Sequence, residues 1–381
     1  MISAWLEKNR LFQSSPAYTR AVHSTLLLVL AIAAAGLALD HPHIARAADV
    51  PAQRLLIAHY YPWYDMSAWT GGITPELPRD LYVSADSGVM ARHFDEARGA
   101  GIDVFNVAWL GPNNPTDWNL STMLPIAESK GISLTAGFET DSPWLNSRAA
   151  VVAGLRYLAG TQAGQPGYLR YEGRPVIFFW RLEAVPQEGQ RSAVEAWRSI
   201  RDEVDPDREA LWIGEGDRFE FLRVFDGIYP YSIAWSRNVA GTLGSYGART
   251  RQQAAALGTS KLWVATVMPG YDDSLTGRSN TFARDRANGA FYDETWRAAT
   301  GSDPDWIIIT SWNEWVEGSQ IEPSRSYGDT YLQMTGRWSD AWKGISAADA
   351  RADEAAVAGG PSGLSDDVPV VADGEPRTNE G

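Results

Sequence analysis

Ile307-Ile-Ile-Thr-Ser-Trp-Asn-Glu-Trp-Val-Glu-Gly318 runs from an apolar stretch straight into two carboxylates three residues apart. Three β-branched residues in a row read as a strand covered on both faces, as strands of a parallel sheet are. The Trp, Asn and Glu residues then fall just beyond the strand's C-terminal end, where chemistry sits in parallel α/β folds. A Glu pair at i, i+3 can also decorate the first turn of a following helix, where carboxylates favour the dipole. Two Trp and an Asn interleaved with them suit a solvated face poorly.

Outward from this stretch, short apolar segments alternate with amphipathic ones. Strands are expected at 55–60, 102–107, 132–137, 175–179, 211–214, 227–231, 262–267 and 306–310. Helical runs fall at 89–100, 119–130, 149–158, 194–203, 246–257 and 282–299. That alternation implies a parallel sheet with crossover helices, and about eight such units match a closed (β/α)8 TIM barrel better than an open sheet. Gly99-Ala-Gly101 and Lys130-Gly131 punctuate helix ends that lead into strands. The fold class is therefore α/β, with one barrel domain at 48–345, a length that suits a single large core.

The N-terminus carries Lys8, Arg10 and Arg20, an apolar run over 26–39, and then Ala45-Arg46-Ala47. This is a signal peptide pattern over 1–47, implying cleavage after Ala47 and a secreted or periplasmic product. The alternative is an N-terminal membrane anchor, although the run is shorter than the ~20 residues a spanning helix needs. No later segment is apolar enough to span. Residues 346–381 lose their aromatics and gather acids such as Asp366, Asp367 and Glu375, which reads as an acidic disordered tail. Cysteine is absent and the formal charge is -14, so the core works without disulfides and nucleic acid is disfavoured as a partner.

With the strands so placed, one rim collects His59, Tyr60, Tyr61 and Trp63 after the first, Asn106 and Trp109 after the second, and Glu139 after the third. Trp180 follows the fourth, Glu215 the fifth, Tyr231 and Trp235 the sixth, Tyr271, Asp272 and Asp273 the seventh, and Asn313, Glu314, Trp315 and Glu317 the eighth. Each alone has a bland explanation: His59 as a satisfied structural histidine, the aromatics as caps on the core. Together, aromatics, amides and carboxylates suit a neutral polyhydroxylated ligand, a glycan or oligosaccharide, since Trp stacks on the C–H faces of sugars. Cleavage of a glycosidic bond is the reaction that most needs paired carboxylates, and Glu314 with Glu317 is the obvious pair. His spacing supports no zinc site, no G-x-S-x-G elbow occurs, and a turn explains Asp272-Asp273 as well as a cation does. No metal and no cofactor is expected.

Ser311-Trp-Asn-Glu-Trp-Val-Glu-Gly-Ser-Gln-Ile-Glu-Pro323 resembles the S-[FW]-N-E-W-x-E-G-[TS]-x-I-E-P signature of glycoside hydrolase family 99 and its 99-like relatives, the endo-α-mannosidase group. His59-Tyr-Tyr-Pro-Trp-Tyr64, Gly173-Arg-Pro-Val176 and Pro269-Gly-Tyr-Asp272 with Arg278 agree with three further family segments, in the right order. The resemblance implies a metal-free (β/α)8 enzyme that cleaves α-mannosidic linkages inside a glycan with retention. It implies a 1,2-anhydro sugar intermediate, with Glu314 deprotonating the substrate 2-hydroxyl and Glu317 as acid and base. Tyr271 and Glu139 would contact the sugar, with further substrate contacts from the rim. Val316 stands where the mannosidases carry His, and Trp312 where Phe is usual, so reaction type transfers better than substrate. An ordinary nucleophile and acid pair using Glu215 or Glu139 with Glu314, and a non-catalytic glycan-binding barrel, remain as alternatives.

Overall fold

The structure, a computed structural model, describes residues 53–344. The leader at 1–47 and the tail at 346–381 lie outside them. The chain divides by packing into Met1–Ser339 and Asp340–Gly381, and the barrel belongs to the first unit.

Eight parallel strands form it: β1 Leu56–Tyr60, β2 Val104–Trp109, β3 Ser133–Glu139, β4 Arg174–Trp180, β5 Leu211–Glu215, β6 Gly227–Tyr229, β7 Leu262–Val267 and β8 Trp306–Ile309. They pair in the order β3-β2-β1-β8-β7-β6-β5-β4, and a pairing of β3 with β4 closes the ring. The first strand meets the last in register, Leu56 beside Ile307 and Ala58 beside Ile309. Helices α1 Ser87–Gly99, α2 Pro115–Lys130, α3 Arg148–Tyr157, α4 Ala193–Val204, α5 Val239–Leu257, α6 Ala290–Gly301 and α7 Thr330–Lys343 cover it. Between β5 and β6 the covering element is only the 3-10 turn Phe219–Arg223.

Local chemistry sets the ends of these elements. In α2 the Asn114 side chain accepts from Thr116 N, Pro115 opens the first turn, and Gly131 at φ 68 supplies the left-handed residue that closes the last. The helix expected at 282–299 begins only at Ala290. Ala283–Arg284 instead pairs antiparallel with Tyr271–Asp272 as a hairpin on the β7 loop, and Asn288 and Gly289 take positive φ before the helix starts. β2, β3 and β4 each extend beyond the expected end, making Trp109, Glu139 and Trp180 the last residues of their strands.

The barrel lumen is packed toward its N-terminal end by Ile57, Val104, Val176, Phe178, Ile213, Val264, Trp306 and Ile308. Because strand side chains alternate, His59, Asn106, Glu139 and Trp180 share their face, whereas Tyr60 and Trp109 share the parity of the residues turned toward the helices.

Candidate active site

The eighth strand does not lead into a helix. After the cis Thr310–Ser311 peptide the chain forms an irregular loop folded back on itself. Ser311 N donates to Ser319 O (2.9 Å), Ile321 N to Ser311 O (2.9 Å) and Glu322 N to Trp312 O (2.9 Å). The loop is tied to β1, since Trp312 N donates to His59 O (2.8 Å). Asn313 Oδ1 accepts from Tyr61 N (2.7 Å) while its Nδ2 donates to Tyr61 O (3.0 Å). Gly318 sits at φ +58, and a Cβ there would lie 3.0 Å from Pro75 Cγ and 3.3 Å from Asp272 Cβ.

This loop presents Glu314 and Glu317, both buried, into a cleft lined by Tyr61, Trp63, Leu110, Glu139, Trp180, Tyr231, Arg278 and Val316. Glu314 N donates to Ser311 Oγ (2.7 Å), and Tyr64 Oη donates to Glu314 Oε1 (3.3 Å). Glu317 Oε1 accepts from Arg278 Nη1 and Nη2 (3.1 and 3.0 Å), and Oε2 accepts from Tyr231 Oη (3.1 Å). The Tyr231 and Tyr61 hydroxyls are themselves 2.8 Å apart.

The two carboxyls share a site and differ in support. Burial and then the charge of Glu317 hold the Glu314 carboxyl well above the usual carboxylate range. Burial also raises Glu317, but the Arg278 guanidinium and the Tyr231 hydroxyl oppose it. Of the two, Glu314 is therefore the harder to charge. Burial, with Asp141, Glu215 and Glu317 nearby, pushes Glu139 up to about 8, so it enters the cleft as a neutral acid. His59 is driven by burial down to about 3 and is neutral. Its Nδ1 lies 3.1 Å from Asn106 Nδ2 in a small cavity floored by Asn106, Gly137 and Tyr229 and bordered by Glu139 and Trp180.

Of the expected rim, Tyr61, Trp63, Glu139, Trp180, Tyr231 and Arg278 line the cleft with the two catalytic candidates, and His59 lies beneath it. Tyr60 and Trp109 do not reach it: Tyr60 Oη pairs with His93 Nδ1 (3.1 Å), and Trp109 Nε1 donates to Asp117 Oδ1 (2.9 Å) on the helix side. Asn313 and Trp315 are buried within the loop, where Trp315 Nε1 donates to Glu322 Oε2 (3.1 Å), and neither lines the cleft. Tyr271 stands behind Arg278, its hydroxyl donating to Asp273 Oδ2 (3.2 Å) and accepting from Arg278 Nη1 (3.3 Å). Glu215 accepts from Arg181 N (3.3 Å) and lies outside the lining.

Three contributors were given no role by the sequence reading of the site. Tyr64 lay in a quoted motif without a role. Asp273 turns out to fix Arg278 (3.0 Å), and its other oxygen accepts from Phe282 N (2.8 Å), so the turn and this pair account for the doubtful Asp272-Asp273. Tyr82, which donates to Glu322 Oε2 (2.9 Å) and meets Asn313 Nδ2 (3.2 Å), carried no signal in sequence at all. Among the described residues no cluster of His, Cys, Asp or Glu has metal-holding geometry, and no helix is long and apolar enough to cross a membrane.

Paired buried carboxylates at the C-terminal mouth of a (β/α)8 barrel, walled by Trp and Tyr, define the glycoside hydrolase class of site. The model of glycosyl hydrolase family 99 matches residues 69–343, and the chain belongs to that family. It is 26% identical over 297 residues to the rat glycoprotein endo-alpha-1,2-mannosidase, covering 70% of this chain and 63% of that protein. It is 25% identical over 372 residues to the mouse glycoprotein endo-alpha-1,2-mannosidase-like protein, covering 78% of this chain and 79% of that one. A solved GH99 endo-alpha-mannosidase from Bacteroides thetaiotaomicron in complex with bis-tris-propane superposes with a TM-score of 0.65 at 25% identity, over 80% of this chain and 100% of that one.

Proposed function

We propose that the protein is an exported, retaining, endo-acting glycoside hydrolase that cleaves α-mannosidic or related α-glycan linkages. The observation that carries this reading is the pair Glu314 and Glu317, both buried and lining one aromatic cleft. Cleavage needs one group that gives a proton to the leaving oxygen and one that assists at the anomeric side. In the anhydro route, Glu314 takes the proton of the substrate 2-hydroxyl as that oxygen attacks the anomeric carbon, while Glu317 protonates the departing oxygen. Water then opens the 1,2-anhydro sugar with Glu317 as base, restoring both groups. Glu139, neutral with its pKa at about 8, is a hydrogen-bond donor to the sugar and a poor nucleophile, which weighs against an ordinary pair built on it.

One observation favours the reverse assignment. Two donors from Arg278 favour charge on Glu317 in the free protein, which leaves the proton on Glu314. Variants separate the two. Under the first assignment Glu317→Gln is nearly inactive on a poor leaving group and partly active on an aryl glycoside or glycosyl fluoride, whose departure needs little protonation, while Glu314→Gln fails on both. The opposite pattern reverses the roles. A covalent glycosyl adduct on either glutamate or on Glu139, seen by mass spectrometry, rules out the anhydro route. No turnover of any α-glycan by the wild type rules out the hydrolase. Export rests on the leader pattern at 1–47, and N-terminal sequencing of protein beginning at Ala48 is the expected result.

A further inference from the structure

Trp144 and Trp235 are 43% and 54% exposed in a chain that buries most of its tryptophan. Single exposed apolar residues need no explanation. These two differ in how they are held and in what they adjoin. Trp235 Nε1 donates to Ser232 O (2.9 Å), so the one polar atom of the indole is satisfied by its own loop and the ring is left as a fixed apolar plate. That loop continues directly from Tyr231, whose hydroxyl bonds Glu317. It is braced from the other side by Arg284, whose Nε donates to Ala234 O (2.8 Å) and Nη2 to Ser236 O (2.7 Å). Arg284 belongs to the same hairpin excursion that carries Arg278 to Glu317. The plate is thus mechanically part of the wall around the carboxylates.

Trp144 is held on the other wall through its backbone instead of its ring. Ser142 Oγ donates to the Leu110 carbonyl and accepts from Trp144 N (3.2 Å), and Leu110 lines the cleft. Gly111, at φ +130, lets the backbone press so close that a Cβ would come within 3.2 Å of Trp144 Cβ. Trp144 rises after β3 and Trp235 after β6, which the strand order sets on different sides of the ring.

We propose that Trp144 and Trp235 are sugar-stacking platforms at the two ends of a groove that runs across the barrel mouth, so that the bound glycan extends beyond the cleft on both sides of Glu314 and Glu317. This rests on the glycoside hydrolase reading and specifies its substrate as an extended neutral oligosaccharide. The Trp235 ring, already tied by its own loop, stacks on a sugar face with little further loss of freedom, and Trp144 offers an exposed indole on a fixed backbone; the preference is for length over any particular hydroxyl pattern.

The test compares kcat/KM for α-mannooligosaccharides of increasing length and for an aryl α-disaccharide confined to the cleft, using wild type, Trp144→Ala and Trp235→Ala. Wild-type kcat/KM should rise with length. Each variant should lose roughly fivefold to tenfold on the longest chain, as loss of one aromatic contact predicts, and stay within about twofold on the aryl substrate. Equal loss on both substrates, or no loss on either, overturns the proposal. If the wild type hydrolyses nothing, calorimetric titration with the longest oligosaccharide decides: weaker binding by the variants keeps the groove while the hydrolase fails, and no binding by the wild type overturns both.

Discussion

A carboxyl that releases a proton and a carboxyl that accepts one cannot have the same surroundings, and Arg278 is what makes Glu314 and Glu317 unlike. As a candidate pair they were legible, because two glutamates among Trp and Asn suit a solvated face poorly, and the structure brings both into one cleft. Their inequality was not, because Arg278 arrives from 36 to 39 residues upstream on a hairpin whose shape the sequence does not announce. Glu139 offers the clearest pH signature. Its folded pKa of about 8 lies above the ordinary value, so its neutral form is favoured below that range and charging it costs stability as pH rises through about 8. Glu139→Gln should therefore raise Tm at pH 9 relative to wild type, with little gain at pH 4, where the wild-type group is neutral as well. Scanning calorimetry at the two pH values checks this, and an equal change at both would show that Glu139 is not the titrating group. Tyr60 and Trp109 show the opposite lesson. Strand alternation, already readable in 55–60, assigns Tyr60 to the helix side, and proximity to the motif outweighed it; Trp109 lay beyond the strand expected at 102–107, and only its extension to Trp109 fixes that side chain's face.

Among the elements, β-branched runs such as Ile307-Ile308-Ile309 and Val264-Ala265-Thr266-Val267 declared themselves by composition, and the ends of these two strands were off by at most one residue. The β7 loop did not. Phe282 to Arg286 has helix-compatible residues, and only Asn288-Gly289 hinted at a break before α6. The catalytic loop has no periodicity to read, since backbone bonds between Ser311 and Glu322 hold it. Gly318 is its most exacting position. Gly318→Ala should cost about 1–3 kcal/mol, because it combines positive φ with contact against Pro75 and Asp272. It should also lower kcat, because Glu317 is the adjacent residue and its carbonyl accepts from Asp272 N (2.7 Å). Urea unfolding and turnover on one substrate measure the two effects. Loss of stability with unchanged kcat would mean that the loop relaxes without moving the carboxylate.

At the scale of the whole molecule, eight strand segments in one chain were enough to read the barrel, because only closure leaves no edge for so many parallel strands. The tail at 346–381 lies outside the described residues, and its sequence, without aromatics and rich in acids, predicts that the barrel does not need it. Truncation before Ala350 should leave Tm and kcat unchanged, and a fall of several degrees in Tm would show that it docks. The barrel also closes beside the candidate site. β1 pairs with β8, and Tyr61 grips Asn313 across 252 residues of chain. The site therefore joins the first segment of the barrel to leave the ribosome with nearly the last, and its contacts are among the most distant in sequence that the fold makes. No shortened product ending before β8 can be partly active, and in a refolding experiment recovered turnover is a gauge of ring closure itself.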